Sequence, residues 1–274
     1  MSDEILRLSA DQVREMLKQG EMDIPTIPLI EPQIPGDSMI ERAKEVLGKD
    51  FMGVEAVRNM ESKLKGVGVN VEFVLDNIPL LPYDEQDLQL AKQNGEMLVL
   101  RPEEMERDEG KMPLTLMNFR KLFSKNPLGK TGAIFGTNWY TREKFATQAG
   151  EIKLGWSLVR KDVLMVRRGV LDGAIFTSWN KQEGLLQQYG EGLKIQGAKN
   201  VSVRRRTALE AVYDTLLYYV NTGEKLLLDK YDWGQTKTSV GSYVYLGRFN
   251  TGGLRAFRII PGHSYYSIGV CATR

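Results

Sequence analysis

Apolar positions recur at helical spacing in several stretches of the first hundred residues, with short strand-like runs between them. Ser9-Ala10-Asp11-Gln12 can cap a short helix carrying Val13, Met16 and Leu17, with Gly20 as its stop. Ser38 and Glu41 open a second helix over 38–47, and Val54, Val57, Met60 and Leu64 define a third, closed near Gly66. Residues 69–75 read as a strand, 84–94 as a helix ending at Asn94-Gly95 with Leu88, Leu90 and Ala91 inward, and 96–101 as a second strand. Residues 103–109 read as a charge-rich loop. Helices alternating with short strands predict a small α/β unit. Within it, Pro25, Pro28, Pro32 and Pro35 forbid a helix over 22–36, and the interleaved Ile24, Ile27, Leu29, Ile30 and Ile34 predict an arm laid along another surface, its own or a second subunit's.

The later pattern is mixed. Leu116, Phe119, Leu122 and Phe123 predict a helix over 114–123, broken by Asn126-Pro127-Leu128-Gly129. Residues 132–140 read as extended, 141–144 as the start of a helix, and 152–159, 163–166 and 174–179 as strands. Gly184, Gly190, Gly192 and Gly197 leave 181–200 as a short helix and loops. The strongest helix follows. Thr207-Ala208-Leu209-Glu210 fits a capping box; Leu209, Val212, Tyr213, Leu216, Leu217 and Val220 form a wide apolar stripe; Gly223 is the stop. The last fifty residues read as short strands between glycine turns: a loop at 231–234 anchored by Trp233, strands at 243–246 and 254–260, and a last strand over 263–271 that buries Tyr266, Ile268 and Val270. The fold class expected is α+β, with an acidic α/β region over 1–110 and a basic, aromatic-rich region over 111–274.

Charge sharpens that division. Residues 1–110 carry 12 Lys/Arg and 24 Asp/Glu, a balance of −12, whereas 111–274 carry 25 and 11, a balance of +14. The second segment also holds 21 of the 24 aromatic residues. Two readings compete: a basic segment that binds a polyanion such as nucleic acid, or one that neutralises the acidic segment of its own chain or of a neighbouring subunit. The near-cancellation favours the second. For nucleic acid, the residues that would carry binding are Arg204, Arg205, Arg206, Arg167 and Arg168.

A resemblance attaches to residues 200–274. Arg205-Arg206-Thr207-Ala208-Leu209-Glu210-Ala211-Val212-Tyr213, then Trp233 with nearby threonines, then Gly269-Val270-Cys271-Ala272-Thr273-Arg274, resembles the C-terminal half of a C-type lectin-like domain. The variety is that of formylglycine-generating-enzyme-like proteins and the variable proteins of diversity-generating retroelements. Arg206 stands where that pattern usually has proline, and Ala272-Thr273 separates Val270-Cys271 from the final arginine. The resemblance implies a recognition fold. It does not carry over formylglycine formation, which resembles a paired-cysteine copper chemistry, because Cys271 is the only cysteine.

Most catalytic chemistries lack their residues. One His and one Cys build no ordinary zinc site, no EF-hand spacing occurs, and no metal or other cofactor is expected. Ser124-Lys125-Asn126-Pro127-Leu128-Gly129-Lys130-Thr131 resembles a phosphate-binding loop, with serine for its first glycine. It follows a helix and precedes an extended stretch, the reverse of the strand–loop–helix order that aims backbone N–H groups at phosphate. A hydrolase triad would need His263, which follows a Pro261-Gly262 turn, and no nucleophile elbow exists to pair with it. Paired carboxylates from distant positions stay open as an acid/base site. No apolar run approaches the ~20 residues of a membrane helix. The acidic start is no secretory signal, and a lone cysteine fits a cytoplasmic setting. The expectation is therefore a non-catalytic recognition protein, with a protein or small ligand as partner and a homo-oligomer as a possible state. Its contact residues would be Trp233, Tyr243, Tyr245, Arg248, Arg255, Arg258, His263, Tyr265 and Tyr266, the Tyr, Trp and Arg types that dominate binding hot spots.

Overall fold

The computed structural model describes residues 36–130, 132–164, 178–263 and 267–274. The helix expected near Ser9 and the proline-rich arm lie outside the described residues, as do Arg167, Arg168, Tyr265 and Tyr266. Among the described residues the chain is α+β: seven α-helices and ten strands, in three sheets. No helix among them is long and apolar enough to cross a membrane.

The helices are α1 (Gly36–Leu47), α2 (Val54–Gly66), α3 (Glu85–Gln93), α4 (Leu116–Leu122), α5 (Lys144–Thr147), α6 (Trp179–Ile195) and α7 (Ala208–Thr222). Around α7 the chain is organised as its apolar stripe demands. Thr207 accepts from the N–H of Glu210, whose carboxylate accepts from the N–H of Thr207, so two end donors are satisfied reciprocally. Gly223 ends the helix in the left-handed conformation. Every residue of α7 from Ala208 to Val220 is buried. Its Tyr213 ring meets Phe73 and Phe119 at 6.1 and 5.5 Å. One core thus joins α2, α4, α7 and the sheets.

The first sheet orders β1 (Phe51–Met52), β3 (Glu96–Arg101) and β6 (Gly155–Arg160), β1 parallel and β6 antiparallel to β3. β3 is buried along its whole length. Residues 272–274 continue the pairing on the far edge of β6: Arg274 and Leu158 exchange both backbone hydrogen bonds at 3.0 Å, and Arg204 bridges Thr273 beyond them. A small sheet orders β2 (Glu72–Phe73), β4 (Glu104–Arg107) and β5 (Gly110–Pro113). The third orders β10 (Ile268–Gly269), β7 (Tyr231–Lys237), β8 (Tyr243–Asn250) and β9 (Gly253–Ile259).

Four expectations need correction. Residues 103–109 are not a loop; they hold β4 and the turn into β5. Their charges sit on an antiparallel hairpin whose Met105 is buried. Residues 231–234 are not a loop either but the start of β7, held by β8 on one side and β10 on the other. The glycine-rich stretch 181–200 is mostly one 17-residue helix, α6. Each interior glycine costs about 1 kcal/mol, but Gln182, Leu186 and Leu193 are buried, and Gly190 lets the carbonyl of Val201 approach to where a Cβ would stand 3.3 Å away. Trp179, expected to end a strand, is the first residue of that helix.

The change in composition near residue 110 falls inside the β4–β5 hairpin, and residues Pro35–Arg274 form one compact unit. Ion pairs bind the acidic stretch to the basic one. Lys161 meets Asp50 at 2.6 Å, Lys199 meets Asp84 at 3.0 Å, and Lys153 meets Glu103. Arg274, itself buried, reaches Asp87 at 2.7 Å and Glu96 at 2.9 Å, while the Tyr83 hydroxyl donates to its carbonyl at 2.5 Å.

Candidate functional site

The β7–β8–β9 sheet has two unlike faces because side chains alternate along each strand. Val244, Leu246, Leu254 and Ala256 point to the core shared with α7. Tyr231, Trp233, Tyr243, Tyr245, Phe257 and Ile259 point the other way and form a separate cluster with Trp179 from α6. Tyr231, Tyr245 and Phe257 make a mutual ring triangle, with centroids 5.1, 6.0 and 5.7 Å apart. Tyr243 stacks on Trp179 at 4.6 Å, and the Lys237 ammonium lies 5.3 Å from its centroid. Trp179, Tyr243, Tyr245 and Phe257 are half-buried, so this second face is an aromatic layer that solvent reaches.

Behind it lies a polar network that sequence reasoning did not see. Arg205 donates to Glu183 at 2.5 Å, Gln182 at 2.9 Å, and the carbonyls of Trp233 and Trp179 at 2.7 and 2.9 Å. Its guanidinium lies 4.1 Å from the centroid of the Trp179 ring, so one side chain ties α6 to the sheet. Arg206 donates to Asp232 at 2.8 and 3.0 Å and to Asp214 at 3.0 Å. Arg101, from β3, grips Asp214 with two hydrogen bonds of 2.9 and 2.7 Å and reaches Glu210 at 2.7 Å. Arg204 completes the row with two bonds to Glu210. The other oxygen of Asp232 accepts from the N–H of Cys271 at 2.7 Å. Asp214, a charge inside the apolar stripe of α7, was the signal in the sequence; its partners come from β3 and from the residue just before the helix cap.

This network reassigns several expected contact residues. Trp233 is fully buried, beneath the layer and not on it. Arg205 and Arg206 are buried in ion pairs, and Arg204, though half-exposed, is held by Glu210; the three are not a free basic patch. Tyr243 and Tyr245 do lie on the aromatic face. Arg255 is half-buried, against Gly136 and Gly252. Arg248 is exposed at the irregularity in β8, with φ of 48°. Arg258 lies over Trp139 at 5.2 Å, 3.4 Å from Glu143. His263 is exposed in the turn after β9, where its N–H donates to the carbonyl of Ile260. Cys271 is buried, and burial pushes its thiol well above the ordinary range, which makes it a packing residue.

The cleft beside this network brings two carboxyls together. About 300 Å³ in volume, it is lined by Arg101, Glu151, Ser157, Arg204, Glu210 and Gln235, among others. Burial works against ionisation of Glu210, but Arg101 and Arg204 together with the Thr207 N–H overcome it and hold the carboxyl at about 2. Burial raises Glu151, opposed by a hydrogen bond from Thr236 and reinforced by Glu210. Such divergence marks many acid/base pairs. Here both oxygens of Glu210 are already taken by Arg101, Arg204 and the helix cap, so that carboxylate serves the fold. Among the described residues, no group of three or more His, Cys, Asp or Glu could hold a metal ion.

The class these features define is an α+β protein with a buried arginine–carboxylate row behind an aromatic sheet face. No family model matches the chain, and no curated protein or solved structure does either.

Proposed function

We propose that the chain is a non-catalytic recognition protein and that the outer face of the C-terminal sheet, around Tyr243, Tyr245 and Phe257, is its contact surface. The observation that carries the reading is the half-buried ring layer of Trp179, Tyr243, Tyr245 and Phe257, on a sheet whose other face is core. Rings held from behind lose little conformational freedom on binding, which is why rigid aromatics serve as contact anchors. The resemblance of residues 200–274 to C-type lectin-like domains supports the same reading: a capped helix leads into a short-stranded sheet that carries Trp233 and closes with β10 beside β7. Of the five arginines a nucleic-acid role would use, Arg205 and Arg206 are buried and occupied in ion pairs, which favours the aromatic face over that role.

The test is a screen of glycans, peptides and single-stranded oligonucleotides by saturation-transfer NMR, followed by titration against Tyr245→Ala and Phe257→Ala. A ligand whose affinity drops at least tenfold in both variants, with far-UV circular dichroism unchanged, is the expected result. A ligand bound equally well by wild type and both variants would remove the surface from consideration.

A further inference from the structure

A second hollow, separate from the ring layer, collects positive charge. It lies where the C-terminal end of α7 meets the loop after α4, has a volume of about 730 Å³, and is lined by Asn126, Lys130, Ala133, Tyr219, Lys225 and Thr251 together with two glycines. That volume lies within the range of small-ligand sites. The Lys130 and Lys225 ammoniums lie 6.0 and 5.6 Å from the centroid of the same Tyr219 ring. Lys225 also sits 4.6 Å from the Phe249 centroid and donates to the carbonyl of Asn250 at 2.8 Å, which fixes its position. Neither lysine has a carboxylate partner among the described residues. Glu224, next to Lys225 in sequence, is paired with Lys49 at 2.7 Å and accepts from the Tyr218 hydroxyl. Two like charges thus share one aromatic floor uncompensated, an arrangement an anion would relieve. Burial and the proximity of Lys130 both lower the Lys225 ammonium from its ordinary range, in keeping with that geometry.

We propose that this hollow is a binding site for a small phosphate-bearing ligand, held between Lys130 and Lys225 with the Asn126 amide and the Thr251 hydroxyl as neutral donors. Asn126 is already oriented: its carbonyl oxygen accepts from the N–H of Leu128, and its amide donates one hydrogen to the Tyr219 hydroxyl, leaving the second free. Asn126 and Lys130 belong to the stretch that resembles a phosphate loop in sequence. The loop follows α4, and the next α-helix, α5, begins only at Lys144, so no helix N-terminus faces the hollow; α7 meets it with its C-terminal end, and side chains supply the positive charge. Two ammoniums on one floor suit a ligand with adjacent phosphates, such as a diphosphate.

The test uses the full chain and sodium pyrophosphate as probe, in isothermal titration at low salt, with Lys130→Gln, Lys225→Gln and, as a control on α2, Lys65→Gln. Wild type and the control should bind at one site, and each cleft variant should bind at least tenfold more weakly. Pyrophosphate should also raise the melting temperature of wild type but not of Lys225→Gln, which separates lost binding from lost folding. The proposal is overturned if wild type gives no heat with millimolar pyrophosphate, or if all three variants weaken binding alike. It is likewise overturned if a single-stranded oligonucleotide binds, loses affinity in both Lys130→Gln and Lys225→Gln, and pyrophosphate itself does not bind, since the site would then serve a polymer.

Discussion

Replacing Asp214 tests the buried arginine–carboxylate row most directly. Three cations, Arg101, Arg204 and Arg206, alternate with three anions, Glu210, Asp214 and Asp232. Asp214 sits in the middle, fully buried, with hydrogen bonds from two guanidiniums. Asp214→Leu leaves three cations facing two anions, and both Arg101 and Arg206 lose bonds while remaining in the interior. Removing one member of a buried pair costs about 3–5 kcal/mol, a large share of the roughly 5–15 kcal/mol that holds a domain folded. The double variant Arg101→Met/Asp214→Leu restores balance, since Arg204 keeps Glu210 and Arg206 keeps Asp232. It should recover at least about 2 kcal/mol relative to Asp214→Leu alone, as apolar replacements of whole buried pairs often do. Urea unfolding followed by far-UV circular dichroism reads both values, and a slope shared by all variants confirms that the folded states compare. The reasoning fails if Asp214→Leu costs less than about 1 kcal/mol, or if the double variant is no more stable than that single one.

Arg274→Ala strips Asp87 and Glu96 of their shared guanidinium in a buried site, and a loss of about 3 kcal/mol is expected by the same assay; a change within about 0.5 kcal/mol, the size of a surface substitution, would contradict it. Gly247→Ala would set a Cβ 2.0 Å from the carbonyl oxygen of Lys230, the residue that leads into the neighbouring strand β7, so a melting temperature lowered by the equivalent of about 1–3 kcal/mol or more is expected. An alanine variant as stable as wild type would mean that β7 and β8 pair differently. The Glu210 carboxyl is held at about 2 in the fold against an ordinary 4.5, so its contribution is fully present above about 4.5 and is lost as pH falls toward 2. That span corresponds to roughly 3 kcal/mol, and Glu210→Gln should flatten the acid side of the stability profile; an unchanged acid limb in that variant would refute the assignment.

Much of the fold was legible because its signals are local. The cap at Thr207 and the stop at Gly223 set the ends of α7 from residues one turn apart, and the structure starts and ends the helix there. β3 occupies the predicted 96–101, and α3 lies within the predicted 84–94, between Asp84 and Asn94 as its caps. The aromatic surface was legible only in part. Tyr243 and Tyr245 fall on the half-exposed face, whereas Trp233, one strand over on the same face, is sealed beneath it. Residue type gives affinity for a partner but not the neighbours that cover a ring.

By itself, the sequence determined the α+β class, the central buried helix, and the complementary charges of its two segments, because periodicity, capping and composition are properties of neighbouring residues. Only the tertiary structure decided that a glycine-rich stretch coils into α6, that residues 231–237 join a sheet, and that Arg205 and Arg206 turn inward. The physical reason is common to all three. A strand without hydrogen-bond partners, a helix weakened by glycine and a buried guanidinium are each unfavourable alone. Each becomes stable through groups supplied from elsewhere in the chain: β8 and β10 beside β7, Val201 beside Gly190, and Glu183, Asp214 and Asp232 around the arginines.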